Sequence, residues 1–104
     1  MMQVGIFSGY FPYSLEETAK KIRALDFNTV QLDMHFKDID LSAGQITKDK
    51  CVKIRETFRD HNLPISCISG YTNIIHPEKA ERERRVGYLK EIIRHAQYLG
   101  TPYV

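Results

Sequence analysis

Much that would narrow the function is missing from this sequence. The chain holds only two cysteines in 104 residues. Cys51 and Cys67 form neither a C-x-x-C pair nor a disulfide framework, so both read as buried small apolar residues, not redox centres. No apolar run approaches the roughly 20 residues that span a bilayer. The start, Gln3-Val4-Gly5-Ile6-Phe7 behind two methionines, lacks the basic region and long apolar stretch of a signal peptide, so a cytoplasmic location and no membrane partner are expected. There is no charge bias either: 15 Lys and Arg stand against 13 Asp and Glu, a net +2. The two signs share the same segments, which disfavours a nucleic-acid partner. The run Glu81-Arg82-Glu83-Arg84-Arg85 places opposite charges at i, i+3 and i+4 and fits a solvated helical face. The four histidines at 35, 61, 76 and 95 show no metal-ligand spacing.

What is present is a rhythm of short β-branched run, loop and amphipathic helix, repeated three times. Gln3 to Phe7 is short and apolar, as a buried parallel strand should be. Ser14, with Glu17 three residues on, forms a capping-box signature for a helix whose stripe is Leu15, Ala19, Ile22 and Leu25. Asp26-Phe27-Asn28 ends it, and Thr29 to Leu32 is the second strand, closing at Asp33-Met34-His35. A longer, more polar connection, Phe36 to Ile46, leads to Thr47 as N-cap, with Asp49 in the first turn. Cys51, Ile54 and Phe58, with Val52 beside them, make the next stripe. Asn62 suits the left-handed position after the last turn, Leu63 can fold back, and Pro64 stops the helix.

Ile65 to Ser69 is the third strand. After the loop Gly70 to His76, Pro77 suits the first turn of the third and longest helix. Its stripe is Val86, Leu89, Ile93, Ala96 and Leu99, widened by Ile92, with Gly100 as the residue past its end. Tyr103-Val104 begins a fourth strand. Alternation at this spacing means βαβ units, a parallel sheet and right-handed crossovers. A sheet of three strands and a little more is a poor complete domain, so the fold class expected is α/β. Residues 1–104 would be the N-terminal part (β1-α1-β2-α2-β3-α3 and the start of β4) of a single (β/α)8 TIM barrel, cut short at Val104. A flavodoxin-like sheet is the rival, although the first loop, Ser8-Gly9-Tyr10-Phe11-Pro12-Tyr13, is bulky and aromatic, not a glycine-rich phosphate cradle.

Several segments resemble the xylose isomerase-like superfamily of TIM barrels. They are Val4 to Phe7, the helix start Ser14-Leu15-Glu16-Glu17, Leu25 to Asp33, Asn62 to Ser69, and Ala96 to Val104. The resemblance covers essentially the whole chain and implies the first three βα units. The superfamily includes sugar isomerases, sugar-phosphate and ketose 3-epimerases, inosose dehydratases and zinc-dependent AP endonucleases. Two departures stand out. The acid that commonly ends the second strand is Glu in the family, whereas here Gln31 or Asp33 aligns with it, and the preceding turn has Asp26 in place of Gly. The endonucleases share the element Asn73-Ile74-Ile75-His76-Pro77, but their zinc-binding His at the tip of strand three is replaced by Ile68-Ser69-Gly70.

In such a barrel, chemistry sits at the C-terminal ends of strands and in the loops that follow. That rule selects Tyr10, Asp33, His35, Tyr71, Asn73 and His76. Asp33 is either a carboxylate facing the barrel mouth to accept a sugar hydroxyl or a loop residue bonded to backbone. His35 is either an acid–base group or solvated. Asn73 and His76 either line the pocket or shape the helix entry, with the latter favoured for His76. Tyr10, with Phe11 and Tyr13, either stacks on a sugar or fills the rim. His61 and His95 read as surface residues away from the mouth.

The resemblance implies a parent sugar or sugar-phosphate isomerase/epimerase working by metal-assisted proton transfer next to a carbonyl. Its divalent ion (Mn, Mg, Zn or Co) would be held by residues outside these 104, with Tyr10, Asp33, His35, Asn73 and His76 binding substrate. The alternatives are an AP endonuclease-like phosphodiesterase and a catalytically silent fragment that forms homo-oligomers through a bare strand edge.

Overall fold

A computed structural model describes residues 3–70, 72 and 74–104. The element order is β1 (Gly5–Phe7), a 3-10 turn (Ser8–Tyr10), α1 (Leu15–Ala24), β2 (Thr29–Asp33), α2 (Lys48–Asp60), β3 (Ile65–Ser69) and α3 (Lys79–Leu99). The strands form one parallel sheet in the order β1-β2-β3, each paired with its neighbour in sequence. That order separates the two architectures left open above: a flavodoxin-like sheet places β1 between β2 and β3, whereas a barrel adds each strand beside the last. Tyr103 does not enter a regular strand, but its carbonyl accepts the Ile68 N–H at 2.9 Å, so the chain after α3 lies along the free edge of β3. Thr101 Oγ1 ties the same segment down by donating to the Ser66 carbonyl at 2.9 Å.

The register sorts side chains onto two faces. Ile6 pairs with Val30 and Val30 with Ile65; beyond an irregularity in β3, Leu32 pairs with Ile68. These residues meet the helices, and Val30, Leu32 and Ile68 are buried there with Leu15, Ala19 and Ile22 of α1, Cys51, Ile54 and Phe58 of α2, and Ile92, Ala96 and Leu99 of α3. The opposite face carries Phe7, Gln31, Asp33, Cys67 and Ser69.

Helix ends follow the sequence signals closely. Ser14 Oγ accepts the Glu17 N–H and Thr47 Oγ1 the Lys50 N–H, each at 3.2 Å. The remote Asp38 carboxylate supplies a further cap on α1, accepting the Leu15 N–H at 2.9 Å. At the end of α2, Asn62 stands at φ 57°. Its N–H bonds the Arg59 carbonyl while Leu63 N–H reaches Phe58 O, both at 2.9 Å. This is a Schellman closure, and α3 repeats it with Gly100 at φ 85° and Thr101 N–H on the Ala96 carbonyl.

Several expectations need correction. Leu25 is the C-cap of α1 and is exposed, because the stripe leaves the core once the helix ends there. On α3, Ile92 is buried and Ile93 is exposed: the helix contacts the sheet and α2 along Ile92, Ala96 and Leu99, with Tyr88 one turn earlier, and the row through Ile93 faces away. Pro77 precedes the helix, whose N-cap is Glu78. Cys67 is only half-buried, being on the sheet face away from the helices. His61 Nε2 lies 2.8 Å from Glu16 Oε1, joining α2 to α1, and His95 Nδ1 lies 2.7 Å from the Glu91 carbonyl. Neither is a free surface residue.

The connection from β2 to α2 is the largest departure. It read as polar, yet Met34, Phe36, Leu41 and Ile46 are all buried. Its backbone is clamped from outside: Lys37 N–H donates to Tyr13 O at 3.0 Å, Tyr88 Oη to Leu41 O at 2.7 Å, and Gly44 N–H to the Glu91 carboxylate at 3.0 Å. Lys50 Nζ bridges the carbonyls of Asp40 and Gln45. A loop tied this way gives a fixed wall to whatever lies at the end of β2.

Candidate functional site

The three strands end together, and there the face turned away from the helices opens into a concavity of about 470 Å³ lined by Phe7, Tyr10, Gln31, Asp33, His35 and Ser69. Parallel pairing brings these residues together: Phe7 stands beside Gln31, and Asp33 beside Ser69.

Asp33 is the best-held member. Its N–H donates to Ser8 Oγ at 2.8 Å, and Ser8 is buried in the turn that follows β1. The backbone at the strand end is thus locked to the neighbouring loop. One carboxylate oxygen, Oδ2, lies 3.0 Å from His35 Nδ1, and the side chain of Asp33 is only 18% exposed while that of His35 is 83% exposed. In the tautomer that carries its proton on Nδ1, the ring donates to this oxygen and Nε2 is its acceptor nitrogen. The second carboxylate oxygen remains for a ligand hydroxyl.

Tyr10 stands edge-on to Phe7, with ring centroids 5.5 Å apart and an interplanar angle of 89°. The approach depends on Gly9, where a Cβ would fall within 2.3 Å of the Phe7 ring. Tyr10 is otherwise exposed, an aromatic plane on the rim. Two groups just behind the wall have shifted acidities. Asp40 is held below the usual carboxylate range by hydrogen bonds from Ser42 Oγ and Ser42 N–H, with Lys50 adding to it. Burial raises the Tyr88 phenol, and the negative charges of Glu91, Asp33 and Asp40 add to the effect.

Of the residues singled out in the sequence, Tyr10, Asp33 and His35 converge here. His76 does not line the concavity: its Nδ1 accepts the Glu78 N–H at 3.1 Å and its carbonyl receives the Arg82 guanidinium, so it shapes the entry to α3. Asn73 and Tyr71 lie outside the described residues. Sequence reasoning passed over Ser8, Phe7 and Ser69 as site residues and treated Gln31 only as an aligned position. Stepping back two residues from Asp33 along the strand would have put Gln31 on the same face. Nothing local marks Ser8, whose role depends on a partner 25 residues away. Among the described residues, no three His, Cys, Asp or Glu side chains converge as a bound ion would require. Asp33 and His35, the two candidates at the strand end, are bonded to each other.

A helix-covered parallel sheet whose strands add in order, with polar groups gathered at their C-terminal ends, defines a TIM-barrel segment. The family model for the xylose isomerase-like TIM barrel matches residues 19–104, and the chain belongs to that family. Among solved structures it is similar to D-psicose 3-epimerase crystallised in the presence of D-fructose, with a TM-score of 0.65 and 16% identity. The alignment covers 96% of this chain and 35% of that one, so the chain spans about a third of the length of the structure it matches. No curated protein matches it by sequence. No helix among the described residues is long and apolar enough to cross a membrane.

Proposed function

We propose that the whole protein is a sugar or sugar-phosphate isomerase or epimerase, and that this chain, as the opening portion of its barrel, supplies one wall of the substrate cleft. The observation that carries the reading is the convergence of Tyr10, Gln31, Asp33, His35 and Ser69 at the C-terminal ends of three parallel strands. A ketose presents hydroxyls along one edge and C–H groups on a ring or chain face. Asp33 accepts one hydroxyl proton through its free oxygen, His35 Nε2 accepts another, Gln31 and Ser69 offer both donors and acceptors, and Tyr10 covers the apolar face.

In this reading the chemistry is proton transfer next to a carbonyl, assisted in the whole protein by a divalent ion. Among the described residues no three His, Cys, Asp or Glu side chains converge, and this reading assigns the ion and the proton-transferring groups to other parts of the protein. Asp33 and His35 act by binding and orienting substrate. The tip of β3 carries Ser69 where the resemblance to the endonucleases would require a zinc-binding His, which leaves the phosphodiesterase alternative without support from this sheet.

The test is ketohexose epimerisation by the full-length protein, with D-fructose and D-psicose as substrates, followed by proton NMR in deuterated water. Asp33→Asn should lower kcat/KM about tenfold or more, the scale of a lost hydrogen bond to a charged group. Tyr10→Ala should act mainly on KM. An Asp33→Asn protein as active as its parent would sink the assignment.

A further inference from the structure

Each helix begins on the side of the sheet where its preceding strand ends, which is the side of the cleft. The unpaired N–H groups of a helix N-terminus or of a loop ahead of it are the usual cradle for a phosphate. Here the protein's own acids hold those places. On α1, the Asp38 carboxylate accepts the Leu15 N–H and Ser14 Oγ the Glu17 N–H, with Glu16 and Glu17 in the first turn. Ahead of α2, the Glu91 carboxylate accepts the N–H groups of Gly44 and Ile46, and Asp49 lies in the first turn. On α3, His76 Nδ1 accepts the Glu78 N–H, and Glu81 lies in the first turn.

The side-chain charges have the same sign. His35 lines both the cleft and a second concavity of about 450 Å³, formed by the β2–α2 connection, whose lining includes Lys37, Asp38 and Asp40. All three are exposed. Asp40 is firmly ionised, because the hydroxyl and N–H of Ser42 hold its carboxyl below the usual range. Among the described residues that line the two concavities, the carboxylates of Asp33, Asp38 and Asp40 stand against the single ammonium of Lys37. Other cations near the helix entries are engaged by the protein. Lys50 Nζ donates to the carbonyls of Asp40 and Gln45, the Arg82 guanidinium to those of His76 and Pro77, and Arg84 and Arg85 pair with Glu81.

We infer that the substrate is the free sugar and not its phosphate ester, because this wall takes an uncharged polyol and repels a phosphomonoester. The inference rests on the isomerase or epimerase reading above and chooses between the two substrate classes which that reading leaves open. A phosphomonoester carries about −1.5 to −2 charges at neutral pH. Along this wall it meets like charges and N–H groups that are already bonded, so it loses hydration without gaining a partner. A sugar hydroxyl, in contrast, donates to a carboxylate as readily as to water. Discrimination of this kind comes from the repulsive element set against the competitor.

The test is turnover of D-fructose, D-fructose 1-phosphate and D-fructose 6-phosphate by the full-length protein at low and at high salt, an ester that is not turned over being measured by its inhibition constant. The free ketose should be preferred to either ester by at least about tenfold. Salt should narrow that gap by screening the carboxylates. Asp40→Asn keeps an acceptor for Ser42 and removes the charge; it should narrow the gap about two- to fivefold, and Lys37→Gln should widen it. Failure of the protein to turn over any of the three defeats the proposed function and the inference with it. An ester used as well as the free ketose, or a gap that neither salt nor Asp40→Asn changes, overturns the inference and leaves the proposed function standing.

Discussion

The two faces of this sheet differ more than any two elements of the molecule. Toward the helices, Val30, Leu32 and Ile68 are sealed under three amphipathic helices. Toward the other side, one residue further along the same strands, stand Gln31, Asp33, Cys67 and Ser69, at best half-buried. A strand alternates its side chains with period two, so a single five-residue segment, Thr29–Asp33, serves both core and cleft. Apolar burial is concentrated on one face, and the polar side chains stand on the other.

The sharpest break in that comparison should come from paired truncations. Leu32→Ala should cost about 2–5 kcal/mol in denaturant unfolding, as for other fully buried leucines. Gln31→Ala, its neighbour in the chain, should stay within about 0.5 kcal/mol. Equal losses would mean that the faces are not energetically distinct.

Ser8→Ala should fall between these. It strips the Asp33 N–H of its acceptor and should cost about 1–3 kcal/mol, with Asp33 less firmly held. An Asp33 amide whose hydrogen exchange is no faster in the variant would contradict that role.

The cysteines report the same contrast by reactivity. Burial pushes the Cys51 thiol up to about 11, against an ordinary 9.0. At pH 8 iodoacetamide should therefore alkylate Cys67 and spare Cys51, as read by mass spectrometry of peptides. The fold holds the Cys51 proton more tightly than the unfolded chain does. Its contribution to stability is thus complete below pH 9 and is lost as pH rises toward 11.

The smallest effect is at Asp26, whose φ of 64° lies where a side chain is strained. Asp26→Gly should stabilise the chain by about 0.5 kcal/mol, the relief of strain being partly offset by glycine's larger unfolded-state entropy. This is the turn where the family resemblance expects glycine. A loss of stability on this substitution would show that the aspartate side chain holds the turn.

Much of the fold was legible because its signals are local. Ser14 and Thr47 announce their helices, Asn62 and Gly100 end theirs, and short β-branched runs separated by helical periods specify parallel strands. Where a reading failed, a distant partner decided the outcome. Leu25 follows the α1 period but lies past its last turn, and Ile93 loses to Ile92 because α3 is rotated by its contact with α2 and the sheet. Phe36, Leu41 and Ile46 sit among charged residues and look like loop, yet the helices on either side leave a gap that they fill. Asp33, His35 and Tyr10 stand out in the sequence by their places after strands and lie together at the strand ends, whereas Ser8 needed the β1–β2 pairing to be seen.

By itself the sequence determined the alternation of strand and helix, the caps, the buried stripes and the short list of polar residues at strand ends, since each depends on residues within a turn or two of one another. Only the tertiary structure decided the strand order that separates a barrel segment from a flavodoxin-like sheet, the tie between the Asp33 N–H and Ser8, and the clamping of the β2–α2 connection by Tyr13, Tyr88 and Glu91. Those outcomes depend on which groups meet across the sheet and between helices, and no periodicity along a chain encodes a distance between its remote parts.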